Sequence, residues 1–167
     1  MRQGPTISII GGRLIDPANQ LDDLLDLHLA EGRVLAIGKA PPGFEPERII
    51  NARGQVVCPG LIDLAANLRE PGMENKATIA SETRAAARGG ITTLICTPDT
   101  EPVIDTPAVW ELIRRRAKGC ALSRVLAVGA LTQDLAGEAL AEMAALRDAG
   151  CVAVGNANRP LANTLVE

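Results

Sequence analysis

The chain has 167 residues, 47% hydrophobic and 22% charged, with a formal net charge of -3; that composition is globular, can bury a core, and allows one domain or slightly more. Lys and Arg are scattered and Phe44 and Trp110 are the only aromatics, so there is no basic stripe or stacking platform and nucleic acid is not an expected partner. No run approaches the roughly 18 to 20 uncharged apolar residues of a membrane span, and "MRQGPT" lacks a signal-peptide core, so the expected location is cytoplasmic.

From residue 6 to about 57 the segments are short, rich in Ile, Val and Leu, and broken by "GG", "DPAN", "EG" and "APPGFEP". This predicts a small β-structure of hairpins without a helix. Within it, "DLLDLHLAEGRVLAIG" alternates apolar and polar residues, with Gly32 in a hairpin turn. The single histidine, His28, lies on that strand with no partners in its segment, which predicts a structural role and no chemistry. Hairpins without a covering layer leave one face unburied, so this portion, residues 1–57, reads as part of a larger β-structure.

After Pro59 the rhythm changes to strand, loop, helix. "LIDLAANL", "ITTLICTPDT", "SRVLAVGAL" and "CVAVGN" are predicted strands; "ENKATIASETRAAARGG", "TPAVWELIRRRAKGC" and "GEALAEMAALRDAG" are predicted helices between them. Gly89, Gly119 and Gly150 stand where the helices should stop. Thr106 is positioned to cap the second helix, with Pro107 at its first turn, and Arg114, Arg115, Arg116 and Lys118 suit its C-terminal end as surface charge. In the third, Leu140, Met143, Ala144 and Leu146 share a face, as expected of a helix covering a sheet. Such alternation calls for a parallel sheet with right-handed crossovers. Four strands make half of an eight-stranded barrel of about 250 residues, so residues 58–167 read as the first four βα units of a barrel and the chain as a piece of a longer polypeptide. Alone, such a half should expose two sheet edges and be unstable without a partner or its complement.

Cys58, Cys96, Cys120 and Cys151 lie far apart, without the paired spacing that brings two thiolates to one zinc, and are expected to be small buried hydrophobes.

The stretch "VVCPGLIDLAANLREPGMENKATIASETRAAARGGITTLICTPDT" resembles the N-terminal barrel segment of dihydroorotases, in the amidohydrolase superfamily. The family pattern is Pro-Gly-x-Ile-Asp-x-His-x-His-x-Arg-x-Pro-Gly, followed by Gly-Gly-x-Thr-Thr and Met-Pro-Asn-Thr. The resemblance implies an α/β fold, with a composite β-sandwich built from both chain ends and a (β/α)8 barrel carrying zinc at its mouth. There a metal-bound hydroxide attacks a cyclic amide. It also shows what has changed. The two histidines fall on Ala65 and Asn67, and the strand-four Asp-Asp-Gly falls on Asn156, Ala157 and Asn158. A methyl has no lone pair and a carboxamide is a poor replacement for imidazole or a bridging carboxylate, so no metal and no cofactor are expected. Asp63 survives upstream and is expected to make a structural hydrogen bond at the rim. Arg69 matches the arginine that pairs with the substrate carboxylate, whereas its companion asparagine has become Asp99. Arg69 and Asp99 are then either a vestigial substrate-binding pair or an internal salt bridge that satisfies the arginine without substrate, and the salt bridge is the expected arrangement.

What this implies is a pseudo-enzyme. Dihydroorotase-like chains of this kind serve some bacteria as non-catalytic partners of the aspartate carbamoyltransferase catalytic chain in pyrimidine synthesis, and self-association is also compatible. The alternatives are an active zinc amidohydrolase drawing ligands from elsewhere in a longer chain, and a sensor of pyrimidine intermediates working through Arg69.

Overall fold

The computed structural model describes residues 4–161 and 163. The chain divides into two compact units, Met1–Pro59 and Gly60–Glu167.

Among its described residues the first unit has β-strands and one 3-10 turn, at Pro17–Asn19. Its strands are β1 (Ile7–Ile10), β2 (Arg13–Asp16), β3 (Leu21–Leu24), β4 (Leu27–Ala30), β5 (Arg33–Ile37), β6 (Arg48–Asn51) and β7 (Val56–Val57), in two sheets ordered β5-β4-β1-β6 and β3-β2-β7. Glu31 and Gly32, with φ of 52° and 72°, form the tight turn between β4 and β5. His28 is buried, and its two ring nitrogens are both used: Nε2 lies 3.0 Å from the Gly38 carbonyl and Nδ1 2.9 Å from Ser8 Oγ. A carbonyl only accepts, so Nε2 donates to Gly38, and with Nδ1 bonded to the serine hydroxyl the ring is a structural bridge. Apolar burial in this unit is thin. Leu14 and Ala52 are buried, whereas Leu24, Val34, Ile49 and Val56 are each more than half exposed.

The second unit alternates β8 (Leu61–Ala66), α1 (Ile79–Arg88), β9 (Ile91–Cys96), α2 (Pro107–Cys120), β10 (Arg124–Ala130), α3 (Met143–Asp148) and β11 (Ala153–Gly155). The strands form one parallel sheet in chain order, β8 at one edge and β11 at the other, which is the first half of a (β/α)8 barrel. Leu94, Cys96 and Ala127 face a core with Ile79, Val109, Trp110 and Ile113 from the helices. The Trp110 indole N–H, inside that core, donates to the Ala149 carbonyl at 3.1 Å.

Several local expectations need correction. The third helix is only six residues long: Gln133 N–H donates to Ala139 O and Ala141 N–H to Leu131 O, drawing residues 139–141 into a bridge with the end of the β10 segment. Leu140 is therefore 45% exposed, and Ala141 and Leu146 fill the core in its place. Gly119 lies inside α2, which runs on to Cys120, because the backbone there keeps its helical bonds and Ala121 N–H closes the last turn on Ala117 O. Thr106 occupies the N-cap position of α2 without a capping hydrogen bond from its side chain. The cap that does form is at α1, where Thr78 and Ser81 make a reciprocal box. Cys96 and Cys151 are buried, but Cys58 and Cys120 are exposed.

Candidate functional site

The positions singled out by the sequence lie at the C-terminal ends of β8, β9 and β11 and in the loops that follow, which is where barrels of this type place their chemistry. At the end of β8, Ala65 is exposed and offers a methyl group. Its backbone N–H donates to Asp63 Oδ1 at 3.0 Å, so Asp63 holds the local bend of the strand in the structural role expected of it. Asn67 Oδ1 accepts from Thr97 Oγ1 at 3.1 Å, and Thr97 N–H donates to the Ala66 carbonyl at 3.2 Å, tying β8 to the segment after β9.

At the end of β11, both halves of the Asn156 amide are engaged. Oδ1 accepts from Thr132 Oγ1 at 2.6 Å, and Nδ2 donates to the Arg159 carbonyl at 3.2 Å. Thr132 is fully buried and its hydroxyl oxygen also accepts from Gly137 N–H at 3.0 Å. A relay thus runs from Gly137 through Thr132 and Asn156 to Arg159. Only an amide serves its last link, because a carboxylate at this position has no proton to give a carbonyl at neutral pH.

This donor set does not fit zinc. Ala65 has no lone pair, and the side-chain oxygens of Asn67 and Asn156 are each already accepting a hydroxyl proton. No cluster of three or more His, Cys, Asp or Glu side chains placed to hold a metal occurs among the described residues.

The expected salt bridge between Arg69 and Asp99 does not form. Arg69 sits in the left-handed region with φ of 63°, and its side chain has no ion-pair or hydrogen-bond partner among the described residues. Asp99 is half-buried in a separate shallow hollow lined also by Met73, Glu101, Asp134 and Arg159. The backbone of Arg69 is fixed at that φ by the turn in which its carbonyl accepts from Met73 N–H, and no ion pair joins it to the "TPDT" loop.

What the loop does use is Glu70, which the sequence did not single out. Its Oε2 accepts from Ile79 N–H at 2.8 Å, at the first turn of α1, and its Oε1 takes Arg116 of α2 at 3.0 Å. A carboxylate at a helix N-terminus satisfies an otherwise orphaned donor and the helix dipole together. Arg116 also reaches Glu74 at 3.2 Å. The Glu74 carboxyl is held below its ordinary range, first by its own backbone N–H and then by Gly72 N–H and Arg116. Gly72, with φ of 101°, lies so close to the next loop that an added Cβ would stand 2.3 Å from Glu101 Cβ and 2.4 Å from its carbonyl oxygen. Glu101 N–H closes this contact on the Pro71 carbonyl at 3.0 Å. The motif "LREPG" is thus a clamp between two loops and two helices. Forty-six residues separate Glu70 from Arg116 and no local pattern links them; the signal that could have been read was the capping box at Thr78 and Ser81.

The buried thiols are unsuited to nucleophilic or metal chemistry. Burial pushes Cys96 up to about 12 and Cys151 up to about 11.

The profile of the dihydro-orotase-like family matches residues 54–162. A dihydroorotase-like protein from Pseudomonas putida is 56% identical over 95% of the chain, and one from Pseudomonas aeruginosa 53% over 90%. A dihydroorotase from Geotalea daltonii is 46% identical over 94%. The chain spans 36 to 37% of the length of these relatives. Among solved structures, the L-hydantoinase of Arthrobacter aurescens superimposes with a TM-score of 0.77 at 24% identity, covering 90% of this chain and 32% of that one. A D-hydantoinase superimposes with a TM-score of 0.64 at 27% identity, covering 76% of this chain and 27% of the other. No helix among the described residues is long and apolar enough to cross a membrane.

Proposed function

The chain belongs to the dihydroorotase-like family, and from that premise we propose that it is a non-catalytic member: a structural subunit that helps assemble and stabilise aspartate carbamoyltransferase in pyrimidine synthesis. The observation that carries the first half of this reading is Asn156. Its amide is built into a hydrogen-bond relay at both ends, so the position that should bridge metal ions instead joins β10, β11 and the loops that follow them. Ala65 has no donor atom and Asn67 offers only a neutral amide that is bonded to Thr97, so none of the three positions carries a histidine or carboxylate ligand. A fold of this class without its metal has no means of generating hydroxide at neutral pH, and what it retains is surface. The choice of partner rests on the resemblance of "LAANLREPG" to chains that accompany the carbamoyltransferase.

The test is light scattering on a size-exclusion column, with the natural full-length protein run alone and then with the carbamoyltransferase catalytic chain of the same source. A single co-eluting species of defined mass is expected. Two separate peaks with the masses of the isolated proteins would remove this partner.

A second reading is favoured by Arg69. An arginine with no internal partner can take a carboxylate bidentately, which suits a sensor of dihydroorotate or carbamoyl aspartate. That reading predicts that either compound raises the melting temperature and that Arg69→Ala abolishes the shift; it fails if neither compound moves the transition.

A further inference from the structure

The charges of α2 are divided between two sides. Arg116 is spent on Glu70 and Glu74, whereas Arg114, Arg115 and Lys118 line, with Arg124 at the start of β10, an open groove of about 640 Å³. Glu111 is the one carboxylate in that lining, and it takes both Arg114, at 2.7 Å, and Arg115, at 2.9 Å. Lys118 and Arg124 are exposed and have no ion-pair partner among the described residues. Four positive groups therefore face one negative group, in a chain whose net charge is -3. The groove also has an apolar component: Leu122, 67% exposed, lies in its wall.

We propose that this groove is the docking surface for an acidic segment of the partner protein, with carboxylates set against Lys118 and Arg124 and an apolar side chain laid on Leu122. The inference rests on the assembly reading above and adds to it the surface through which assembly occurs. Like charges gathered in a concave surface repel one another, and a partner carboxylate relieves that repulsion where Glu111 alone does not. Arginine beside exposed apolar surface is also the composition that protein interfaces favour. A free inorganic anion would use the cations but leave Leu122 uncovered.

The experiment is a titration of the full-length protein with the carbamoyltransferase catalytic chain, comparing Lys118→Glu/Arg124→Glu with Arg84→Glu/Arg88→Glu. The second pair makes the same change of charge at exposed positions on α1 that do not line the groove. The groove pair is expected to weaken the complex at least about tenfold while the α1 pair leaves it near wild type. Raising salt from about 50 to about 300 mM should weaken the wild-type complex and have less effect on the groove variant. Equal affinity for all three proteins, or equal weakening by both pairs, overturns the groove while leaving the assembly reading in place. Absence of a wild-type complex overturns both. If the groove pair loses its circular dichroism signature, Lys118→Ala/Arg124→Ala replaces it, with weakening expected in the same direction and an unchanged complex counting against the proposal.

Discussion

The loop from Arg69 to Gly72 and the strand ends at Asn67 and Asn156 sit within one half-barrel and solve opposite problems. In the loop the family-like Arg69, Pro71 and Gly72 are present, and the structural work is shared with Glu70, a position the family pattern leaves open: Glu70 caps α1 and anchors Arg116, and Gly72 lets a second loop approach to contact distance. At the strand ends, family-like residues are absent and their replacements bond to neighbouring side chains and backbone. A motif can match a family in sequence while its side chains and backbone are engaged in structural bonds. "LREPG" reads as a substrate loop, yet three of its groups do structural work that needs no substrate, while the Arg69 side chain has no partner among the described residues.

The sharpest way to break this comparison is Gly72→Ala. The new methyl would overlap Glu101 and the backbone would remain at a φ that L-residues resist, so a loss of roughly 3 kcal/mol or more is expected in denaturant unfolding. A loss under about 1 kcal/mol would show that the two loops are not held in contact. Next is Glu70→Ala, expected to cost about 1–3 kcal/mol by orphaning Ile79 N–H and one contact of Arg116, against a change within about 0.5 kcal/mol for Arg69→Ala. Equal losses at the two positions would erase the distinction between clamp and free arginine.

Asn156→Asp sharpens the other side. The new carboxylate keeps the Thr132 bond but faces the Arg159 carbonyl without a proton, so about 1–2 kcal/mol should be lost at neutral pH. Because the folded state favours the protonated form there, the carboxyl's folded pKa lies above its unfolded one. The deficit relative to wild type is then greatest above the folded pKa and disappears as pH falls below the unfolded one. A pH-independent deficit would argue against the relay. The clamp behaves in the opposite sense: Glu74 has its folded pKa below the ordinary 4.5, so the stability it adds is present above that value and is lost as pH falls through the lowered one. The smallest effect is chemical. Maleimide should label Cys58 and Cys120 in the folded protein and spare Cys96 and Cys151, whose thiols are buried and raised to about 12 and 11.

The parallel half-barrel was legible because its strand and helix periods alternate cleanly and because motifs recur in order at the strand ends. The third helix was misread over residues 138–142, where an amphipathic pattern competes with backbone bonds to Leu131 and Gln133 that come from outside the window. That the Ala65 side chain offers zinc no donor follows from residue identity alone, without any structural context. The partners that give Asn67 and Asn156 their present roles, Thr97 and Thr132, are 30 and 24 residues away and carry no local signal. Arg69 and Asp99 both lie in strand-end loops, but the positive φ of Arg69 and the turn to Met73 carry no local signal, and the expected salt bridge does not form.

If the strand ends hold structure in place of metal, the protein binds no zinc there. The most direct measurement is zinc stoichiometry of the natural full-length protein, by equilibrium dialysis with metal analysis and a dihydroorotate hydrolysis assay on the same sample. The account predicts less than one tenth of a zinc per chain, as an order of magnitude for a site without its ligands, and no hydrolysis above the zinc-only control. One or two tightly held zinc ions per chain together with turnover would contradict it and make the chain part of a working hydrolase.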